Sequence, residues 1–436
     1  MSKVAIVSSF IYTRWLRRFK TRDQLERYQQ TMLRKHLDFL KTASPYFKER
    51  DTELDAQHLD GWPTMNKEVM MDHFDSMNTV GLDKETALER AVASEKSRDF
   101  SKQYAHISVG LSSGTSGHRG LFVIGDKERE EWAGAVLAKS LPRGKLLGHR
   151  IAFFLRADNS LYQTVASPLL QFEYFDIYKD MSTHLRRLQK YQPTLLVAPP
   201  SVLIVIAEAI ERGELKLVPD KVISVAEVLE PFDDRRFKEA FQQKVIHQIY
   251  QCTEGFLGST CDRGTLHLNE DVAMFEKEYL DKKRFIPIVT DFKRQSQPIV
   301  RYRLNDVLVE KDRPCRCGSV MTAIERIEGR EGDVFYMKTS DGSSVRVFSD
   351  MIARCMIYAS GFHEFRVVQT DYEHLEVFVD QINAVTKVTV NREFKRLAKI
   401  LKVQPPTILF KPYERDLSRK LRRIERSFLH EHNTKL

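Results

Sequence analysis

The chain has 436 residues, 42% of them hydrophobic and 10% aromatic, which is enough to bury the cores of two or more domains. No stretch approaches the roughly 20 apolar residues of a membrane span, and the basic cluster RWLRRFK follows the apolar VAIVSSFIY instead of preceding it, which is the wrong order for a secretory signal. The net charge of +9 suits anionic partners, but acidic residues are interleaved throughout and no basic stripe alternates with aromatic residues, so nucleic-acid binding stays open without support.

Hydrophobic periodicity predicts alternating helices and strands along the first part of the chain. Apolar residues at helical spacing predict a helix within residues 22–50 that stops at Pro45. Further on, the predicted elements are a strand at 150–155, a helix at 184–192, a strand at 194–200, a helix from Ser201, a strand at 221–227, a helix at 231–243 and a strand at 245–250. This strand–helix–strand rhythm predicts a parallel sheet covered by helices, with ligands at the carboxyl ends of the strands.

From about residue 280 the pattern becomes rich in strands, and residues 365–380 are typical of an antiparallel hairpin in a small α+β unit. We therefore predict two domains, a body at 1–330 and a C-terminal domain at 331–436. Glycines on both sides of Glu331 favour a flexible linker between them.

The segment LSSGTSGHRG at 111–120 concentrates glycines and small hydroxyl side chains. Glycine lets successive N–H groups point into one concavity, and hydroxyls add donors that suit phosphate oxygens. Leu121 follows Gly120 where a Walker loop requires lysine, so the segment is either a phosphate loop of another kind or an ordinary surface loop.

Four further stretches follow this loop in order: SVAEVLEP, IYQCTEG, RYRLNDV and EGREGD. Together with the loop they resemble the adenylate-forming superfamily of acyl-CoA synthetases and aryl-acid ligases over nearly the whole chain. Within it, the likeness is to the phenylacetate-CoA ligase branch and the related deazaflavin-cofactor adenylating synthetases. The resemblance implies an α/β fold, with a large adenylate-forming body of parallel sheets and helices and a small, mobile α+β C-terminal domain.

The resemblance also implies how ATP and Mg²⁺ would be held while a carboxylate attacks the α-phosphorus, a reaction that depends on positioning and charge neutralisation. Tyr250 would stack on adenine, Thr253 would touch the α-phosphate and Glu254 would bind Mg²⁺. Glu227 at a strand end would line the nucleotide site, Asp306 would accept from the ribose hydroxyls and Arg330 would reach the nucleotide. The phosphates would be cradled by Ser112, Ser113, Gly114, Thr115, Ser116 and Gly117.

Taken singly, a tyrosine at a strand end is core, a lone aspartate is a turn and an isolated arginine is solvated; only the shared order assigns these roles. The same order assigns Lys420, in LSRKLRRIERS, as the lysine that bridges the substrate carboxylate and the α-phosphate. Superfamily members usually have glycine before this lysine, where this chain has Arg419, and the neighbouring arginines leave a second register open.

Cysteines form a separate pattern. Cys261 and His267, with Cys315 and Cys317 in a C-x-C-G turn, supply three thiolates and an imidazole, a tetrahedral set that suits a structural Zn²⁺ and is similar to one in phenylacetate-CoA ligase-like proteins. The alternative is a pair of cysteine turns without metal. Five cysteines in a long chain favour a reducing, cytoplasmic location over a disulfide framework.

Three departures from the family pattern bear on the reaction. His118 and Arg119 replace a usual Lys-Pro pair, Gln251 follows the tyrosine in place of glycine, and Gly332 takes the place of an acidic hinge with Asp333 beside it and no Arg-Gly pair beyond. The last departure affects the segment that admits the pantetheine thiol in relatives. Adenylation is therefore better supported than thioester formation.

The sequence thus predicts an ATP-dependent ligase that adenylates an aryl carboxylic acid and passes the acyl group to CoA or a carrier-protein thiol. The alternatives are transfer of AMP to a cofactor hydroxyl and a non-catalytic nucleotide- or nucleic-acid-binding protein. We expect a monomer or homodimer whose partner is a small-molecule acid, with no nucleic acid bound.

Overall fold

A computed structural model describes residues 3–50, 54–97, 106–111, 120–155 and 170–430. Contacts between Cα atoms divide the chain into two compact units. Unit 1 contains residues 1–229, 233–304 and 309–326, and unit 2 contains 230–232, 305–308 and 327–436. Unit 1 ends four residues before the predicted domain boundary at 330. The assignment of 1–330 and 331–436 as functional domains remains a prediction.

The helices of unit 1 follow the expected start and stop signals. Thr21 caps the longest of them, since its hydroxyl accepts a hydrogen bond from the Gln24 N–H, and that helix ends at Ala43, with Ser44 as its C-cap before Pro45. The helices are α1 (Lys3–Ile11), a π-helical turn (Tyr12–Leu16), α2 (Arg22–Ala43), α3 (Pro45–Lys48), α4 (Lys67–Asp72), α5 (Phe74–Met77), α6 (Lys84–Ser97), α7 (Asp126–Ser140), α8 (Met181–Tyr191), α9 (Pro200–Glu211) and α10 (Pro231–Ala240), whose first residues belong to unit 2.

A 12-stranded sheet forms the scaffold. Its order is β10-β11-β13-β14-β9-β8-β7-β6-β5-β3-β4, and β12 pairs with β11. The strands are β3 (His149–Leu155), β4 (Leu170–Asp176), β5 (Leu195–Ala198), β6 (Lys221–Val225), β7 (Ile246–Cys252), β8 (Gly255–Thr260), β9 (Leu266–Leu268), β10 (Ala273–Tyr279), β11 (Arg284–Asp291), β12 (Ile299–Arg303), β13 (Asp306–Glu310) and β14 (Ala323–Arg330).

Five neighbouring strands of this sheet, β4-β3-β5-β6-β7, run parallel, as the sequence predicted. Helices α8 to α10 supply crossovers between them, and every residue of β5 and β6 is buried, which is typical of a parallel sheet covered on both faces. Parallel neighbours end at one edge, so the residues after β6 and β7 lie side by side.

A separate antiparallel hairpin joins β1 (Ile107–Leu111) to β2 (Leu121–Gly125), with Leu111 paired to Leu121. The predicted phosphate loop connects these two strands, but its residues 112–119 lie outside the described part of the chain. All six loop assignments, from Ser112 to Gly117, therefore remain predictions.

Unit 2 is an α+β structure. Its strands are β15 (Phe335–Lys338), β16 (Ser344–Val347), β17 (Phe365–Gln369), β18 (His374–Val379), β19 (Thr407–Pro412) and β20 (Ile424–Arg426), and its further helices are α11 (Ser349–Tyr358) and α12 (Ala384–Leu401). Strands β17 and β18 form the predicted antiparallel hairpin inside a four-stranded sheet of order β19-β18-β17-β20. A core that includes Phe335, Val367, Val377 and Phe394 lies between this sheet and the helices.

Candidate active site and metal site

The residue before Glu227 has an unusual backbone. Ala226 has φ 66°, and the Glu227 N–H donates to the Val225 carbonyl oxygen at 2.8 Å, which together define a γ-turn of the rare positive-φ kind. The turn directs the Glu227 carboxylate to the start of α9, where it accepts a hydrogen bond from the Ser201 N–H at 3.0 Å. Strained backbone of this kind is concentrated at functional sites.

The next strand ends in a tight turn that presents two predicted residues. Cys252 pairs with Gly255 across β7 and β8, so Thr253 and Glu254 form the two-residue tip of a hairpin. The Thr253 hydroxyl donates to the Glu254 carboxylate at 2.9 Å. A hydroxyl and a carboxylate are thereby placed together, as a phosphate and a hard cation would require.

Two residues that the sequence did not single out hold this tip in place. The Arg294 guanidinium, 8% exposed, donates to the Thr253 carbonyl oxygen at 2.7 Å. The Tyr302 hydroxyl hydrogen-bonds to Glu254; burial first, and then this carboxylate, raise the pKa of Tyr302. These two contacts fix the geometry of the tip, and a fixed geometry lowers the cost of reorganisation at a site.

Asp291 is a further residue that sequence reasoning missed. It ends the buried strand β11, and a methyl group on Gly255 would lie 2.5 Å from its Oδ2 atom, so its carboxyl group abuts the hairpin tip. Burial raises its pKa to about 6, although the Lys293 N–H that it accepts at 2.7 Å acts in the opposite direction. An acidic residue that ends a continuous apolar strand was the available signal.

Tyr250 lies at the same edge but is only 5% exposed. A register shift between Tyr250 and Gln251 interrupts the pairing of β7 with β8 and changes the direction of these side chains. The predicted stacking of Tyr250 on adenine remains a prediction.

An apolar cavity of about 130 Å³ lies behind these strand ends. Ala226 and Gln251, the neighbours of Glu227 and Tyr250 in the chain, belong to its wall. The other lining residues are Trp132, Val136, Leu137, Ser140, Leu141, Ile151, Phe153, Leu155, Phe172, Leu195, Val197, Ile223, Val225 and Ile249. Phe172 lies in QFEYFDIY at 171–178, whose aromatic side chains favour an aryl acid as the substrate.

Within unit 2, Asp306 and Arg330 lie side by side, with the Arg330 Nε atom 3.9 Å from Asp306 Oδ1. Asp333 is buried, accepts the Arg330 N–H at 2.9 Å and pairs with Arg422. Burial raises the pKa of Asp333, and the Arg422 charge opposes that shift. The segment around Gly332 is thus tied into unit 2 through Asp333.

Lys420 is half-buried in the loop before β20. The two arginines that follow it have structural partners: Arg422 pairs with Asp333 and Glu425, while Arg423 bonds Glu364 at 3.3 Å. These arginines thus have structural roles in unit 2, and the assignment of Lys420 as the mobile cation remains a prediction.

Four metal-ligating side chains converge in unit 1, as the sequence predicted. The ligand atoms of Cys261, His267, Cys315 and Cys317 all lie within 4.8 Å of one another. The Cys261 and Cys315 sulfurs are 3.8 Å apart, and the Cys317 sulfur is 3.4 Å from His267 Nε2. Tetrahedral zinc would set these two distances at about 3.8 Å and about 3.6 Å, so the donor set fits the ion.

The surrounding backbone is arranged as in a metal knuckle. Gly264 and Gly318 have φ 81° and 79°, and their N–H groups close turns onto the carbonyl oxygens of Cys261 and Cys315. The His267 Nδ1–H donates to the Met321 carbonyl oxygen at 3.0 Å, which leaves Nε2 directed at the cluster.

No known protein-family profile matches the sequence. The chain is 25% identical over 221 residues to the protein CapK of Staphylococcus aureus, a match that covers 50% of this chain and 48% of CapK. It is 26% identical over 139 residues to the indoleacetate–lysine synthetase of Pseudomonas savastanoi, covering 30% of this chain and 33% of the synthetase. The chain therefore matches less than half the length of each of these relatives.

Solved structures define the fold more completely. The structure resembles 2-hydroxyisobutyryl-CoA ligase in the postadenylation state with 2-HIB-AMP, with a TM-score of 0.71, 16% identity and coverage of 92% of this chain and 90% of that chain. It also resembles the GH3.15 acyl acid amido synthetase, with a TM-score of 0.59, 13% identity and coverage of 90% and 86%. The α/β fold predicted from the sequence, with its smaller C-terminal domain, is confirmed. The likeness does not distinguish the phenylacetate-CoA ligase branch from other adenylate-forming ligases.

Proposed function

We propose that this chain uses ATP to adenylate a carboxylic acid, releasing pyrophosphate. The observation that carries the proposal is the continuity between an apolar cavity and a polar strand edge: Ala226 and Gln251 line the cavity, and Glu227 and Tyr250 adjoin them in the chain. An acid seated with its apolar part in the cavity would present its carboxylate at the polar edge. The fold and the names of the similar proteins, which include ligases of carboxylic acids, support this reaction.

The volume and the lining of the cavity limit the size and the chemical type of the acid. An apolar cavity of about 150 Å³ holds one benzene ring, so 130 Å³ suits an acid with a single ring or a short branched chain. Phe153 and Phe172 provide aromatic walls, which favours the aryl acid predicted from the sequence. The Ser140 hydroxyl lines the same cavity and makes no hydrogen bond within the described part of the chain, so a substrate with one polar substituent would satisfy it.

The residues at the hairpin tip would suit a nucleotide. Thr253 would donate to the α-phosphate, and Glu254 would hold Mg²⁺, whose charge offsets that of the phosphates. Arg294 and Tyr302 would keep this pair in register, since each bonds one of the two residues. From unit 2, Asp306 would accept from the ribose, while Arg330 and Lys420 would provide positive charge.

The acceptor of the acyl group is a separate proposal. The linker has Gly332 in place of an acidic hinge and lacks the Arg-Gly pair of CoA ligases. Two of the similar proteins are named for acid–amine products, an indoleacetate–lysine synthetase and an acyl acid amido synthetase. We therefore propose an amine as a second candidate acceptor beside CoA or a carrier-protein thiol. Transfer of AMP to a cofactor hydroxyl stays an alternative without a structural observation in its favour.

We further propose that Cys261, His267, Cys315 and Cys317 bind one structural zinc ion. All four positions of the tetrahedron would be filled by protein ligands, which leaves no position for a substrate. The ion would join the β8–β9 turn to the loop after β13.

Exchange of labelled pyrophosphate into ATP tests the main proposal, with a panel of aryl, branched aliphatic and longer acids. Exchange is expected with acids that fit the cavity, and hydroxylamine should trap the mixed anhydride. Glu254→Gln should lower exchange by about 100-fold while leaving the fold intact, since it removes a charge and keeps the shape. The matched control is Glu310→Gln, because Glu310 pairs with Lys277 in a neighbouring part of the sheet.

Absence of exchange with every acid would reject adenylation, and a stable phosphodiester in place of a trappable anhydride would favour AMP transfer to a hydroxyl. Full exchange in Glu254→Gln would reject the Mg²⁺ assignment alone. Once an acid is found, product analysis with CoA, with amino acids and with both together identifies the acceptor.

A further inference from the structure

The outward side of α1 and the following π-helical turn is apolar. Within Lys3–Leu16, seven described side chains are exposed, and only Ser8 among them is not apolar or aromatic. We name the other six the α1 apolar face: Val4, Val7, Ile11, Tyr12, Trp15 and Leu16, which are 41% to 73% exposed. A contiguous patch of this kind normally marks an interaction surface.

The opposite side of the helix is fastened to α7. Gly134 lets the two helices approach so closely that a methyl group there would lie 2.4 Å from the Ile6 carbonyl oxygen. The Ser9 hydroxyl donates to the Glu131 carbonyl oxygen at 2.6 Å, and the Arg14 guanidinium donates to the carbonyl oxygen of Leu141 at 3.0 Å. The α1 apolar face is therefore a preformed surface whose outward direction is set by the body of unit 1.

The charge of this region selects the kind of partner. Residues 1–22 contain six basic and no acidic side chains: Lys3, Arg14, Arg17, Arg18, Lys20 and Arg22. Arg17 and Arg22 are engaged with Asp271 and Glu270, whereas Arg18 and Lys20 are exposed just after Leu16. A second copy would bring like charges together, while an anionic surface would be attracted.

We propose that the α1 apolar face binds the surface of a bilayer that contains anionic phospholipids. The valine, isoleucine and leucine side chains enter the acyl boundary, Tyr12 and Trp15 lie at the interface, and Arg18 and Lys20 contact the headgroups. Nine residues make α1 only about 14 Å long, so the helix lies along the bilayer surface. None of the described helices is long and apolar enough to cross a membrane. The proposal does not depend on adenylation.

Co-flotation of the full chain with vesicles tests the binding of the α1 apolar face to a bilayer. One set of vesicles is pure phosphatidylcholine, and the other contains phosphatidylcholine with about 30 mol% phosphatidylglycerol. Binding should be stronger on the anionic vesicles and should fall at high salt. Ile11→Glu with Leu16→Glu should lower partitioning by at least about tenfold, whereas Val388→Glu, at a side chain 66% exposed on α12, should leave it unchanged. Vesicles should also shift tryptophan emission to shorter wavelength, and Trp15→Phe should abolish most of the shift, because Trp62 is only 3% exposed and Trp132 is half-buried in the cavity wall.

Reversing Arg18 and Lys20 to glutamate keeps the apolar face and tests the charge separately, so the proposal stays testable if the double glutamate variant misfolds. This variant should lose the preference for anionic vesicles. Three results would overturn the proposal: no binding to anionic vesicles, binding unaffected by both variants, or a dimer in solution that Ile11→Glu dissociates.

Discussion

At the scale of single residues, Ala226 has a backbone conformation that its side chain disfavours. A non-glycine residue at positive φ costs about 1 kcal/mol, because its Cβ crowds the neighbouring carbonyl oxygen. The structure keeps this conformation because the γ-turn places Glu227 against α9 and Ala226 against the cavity.

Ala226→Gly should therefore raise the free energy of unfolding by about 1 kcal/mol, measured by chemical denaturation. Ala198→Gly, at the end of the buried strand β5, is the control and should destabilise, since glycine weakens a strand and loses a packed methyl group. Destabilisation by both variants would mean that the cavity contact of the Ala226 methyl outweighs its strain.

His36 illustrates a residue whose titration depends on burial alone. It is 3% exposed in α2, its ring nitrogens make no hydrogen bond within the described residues, and burial lowers its pKa to about 4. Between pH 6.5 and 4 the unfolded chain binds a proton that the folded chain does not, so acidification through this window reduces stability.

Through His36, the free energy of unfolding should fall by about 3 kcal/mol as the pH falls from 6.5 to 4. Above pH 6.5 this part of the stability is fully present. His36→Leu should remove this part of the pH dependence of the unfolding free energy. His58→Gln is a control of opposite sign, because the hydrogen bond that the His58 ring donates to the Asp55 carboxylate raises the pKa of His58 and favours folding at low pH. Parallel pH profiles for His36→Leu and the unmodified protein would contradict the assignment.

At the scale of elements, two neighbouring hairpins hold the residues to which we assign chemistry in unit 1. The β7–β8 tip holds Thr253 and Glu254, and the β8–β9 turn begins at Cys261, so strand β8 connects the candidate active site to the candidate zinc site. Metal that fixes one end of β8 should also stabilise the other.

Cys317→Ser should reduce bound zinc, measured by elemental analysis, and lower the free energy of unfolding by at least about 2 kcal/mol. Cys252→Ser is the matched control for zinc content, since Cys252 is half-buried, forms no disulfide and lies outside the cluster. Protein purified without chelators and free of zinc would end the proposal. Nucleotide binding should persist in Cys317→Ser if the ion is structural.

At the scale of the whole molecule, the proposed machinery is divided between the two units. Thr253 and Glu254 belong to unit 1, whereas Asp306, Arg330 and Lys420 belong to unit 2. We propose that adenylation requires both, and that ATP binding depends mainly on unit 1.

Lys420→Ala should lower pyrophosphate exchange by about 100-fold or more while changing ATP affinity by less than about threefold. Arg419→Ala, at a neighbouring side chain 85% exposed, should leave both unchanged. Arg422→Ala should destabilise unit 2 instead, because it leaves the buried Asp333 carboxylate without its partner. Normal exchange in Lys420→Ala would show that the register is wrong.

The sequence by itself determined the elements whose signal is local. Continuous apolar runs and helical spacing predicted β3, β5, β6 and β7 with their helices, and the alternation at 365–380 predicted the β17–β18 hairpin. The cysteine and histidine cluster was also foreseen, because the ligand types themselves limit the partners that they can share.

Tertiary structure alone decided which distant residues meet. Nothing local in the sequence shows that Arg294 holds Thr253, that Tyr302 bonds Glu254, or that α1 leaves an apolar side exposed. These contacts join residues tens to hundreds of positions apart, and their partners are chosen by strand order and register. Periodicity reports only the side of an element that is apolar, and the packing of the whole chain determines whether that side is covered.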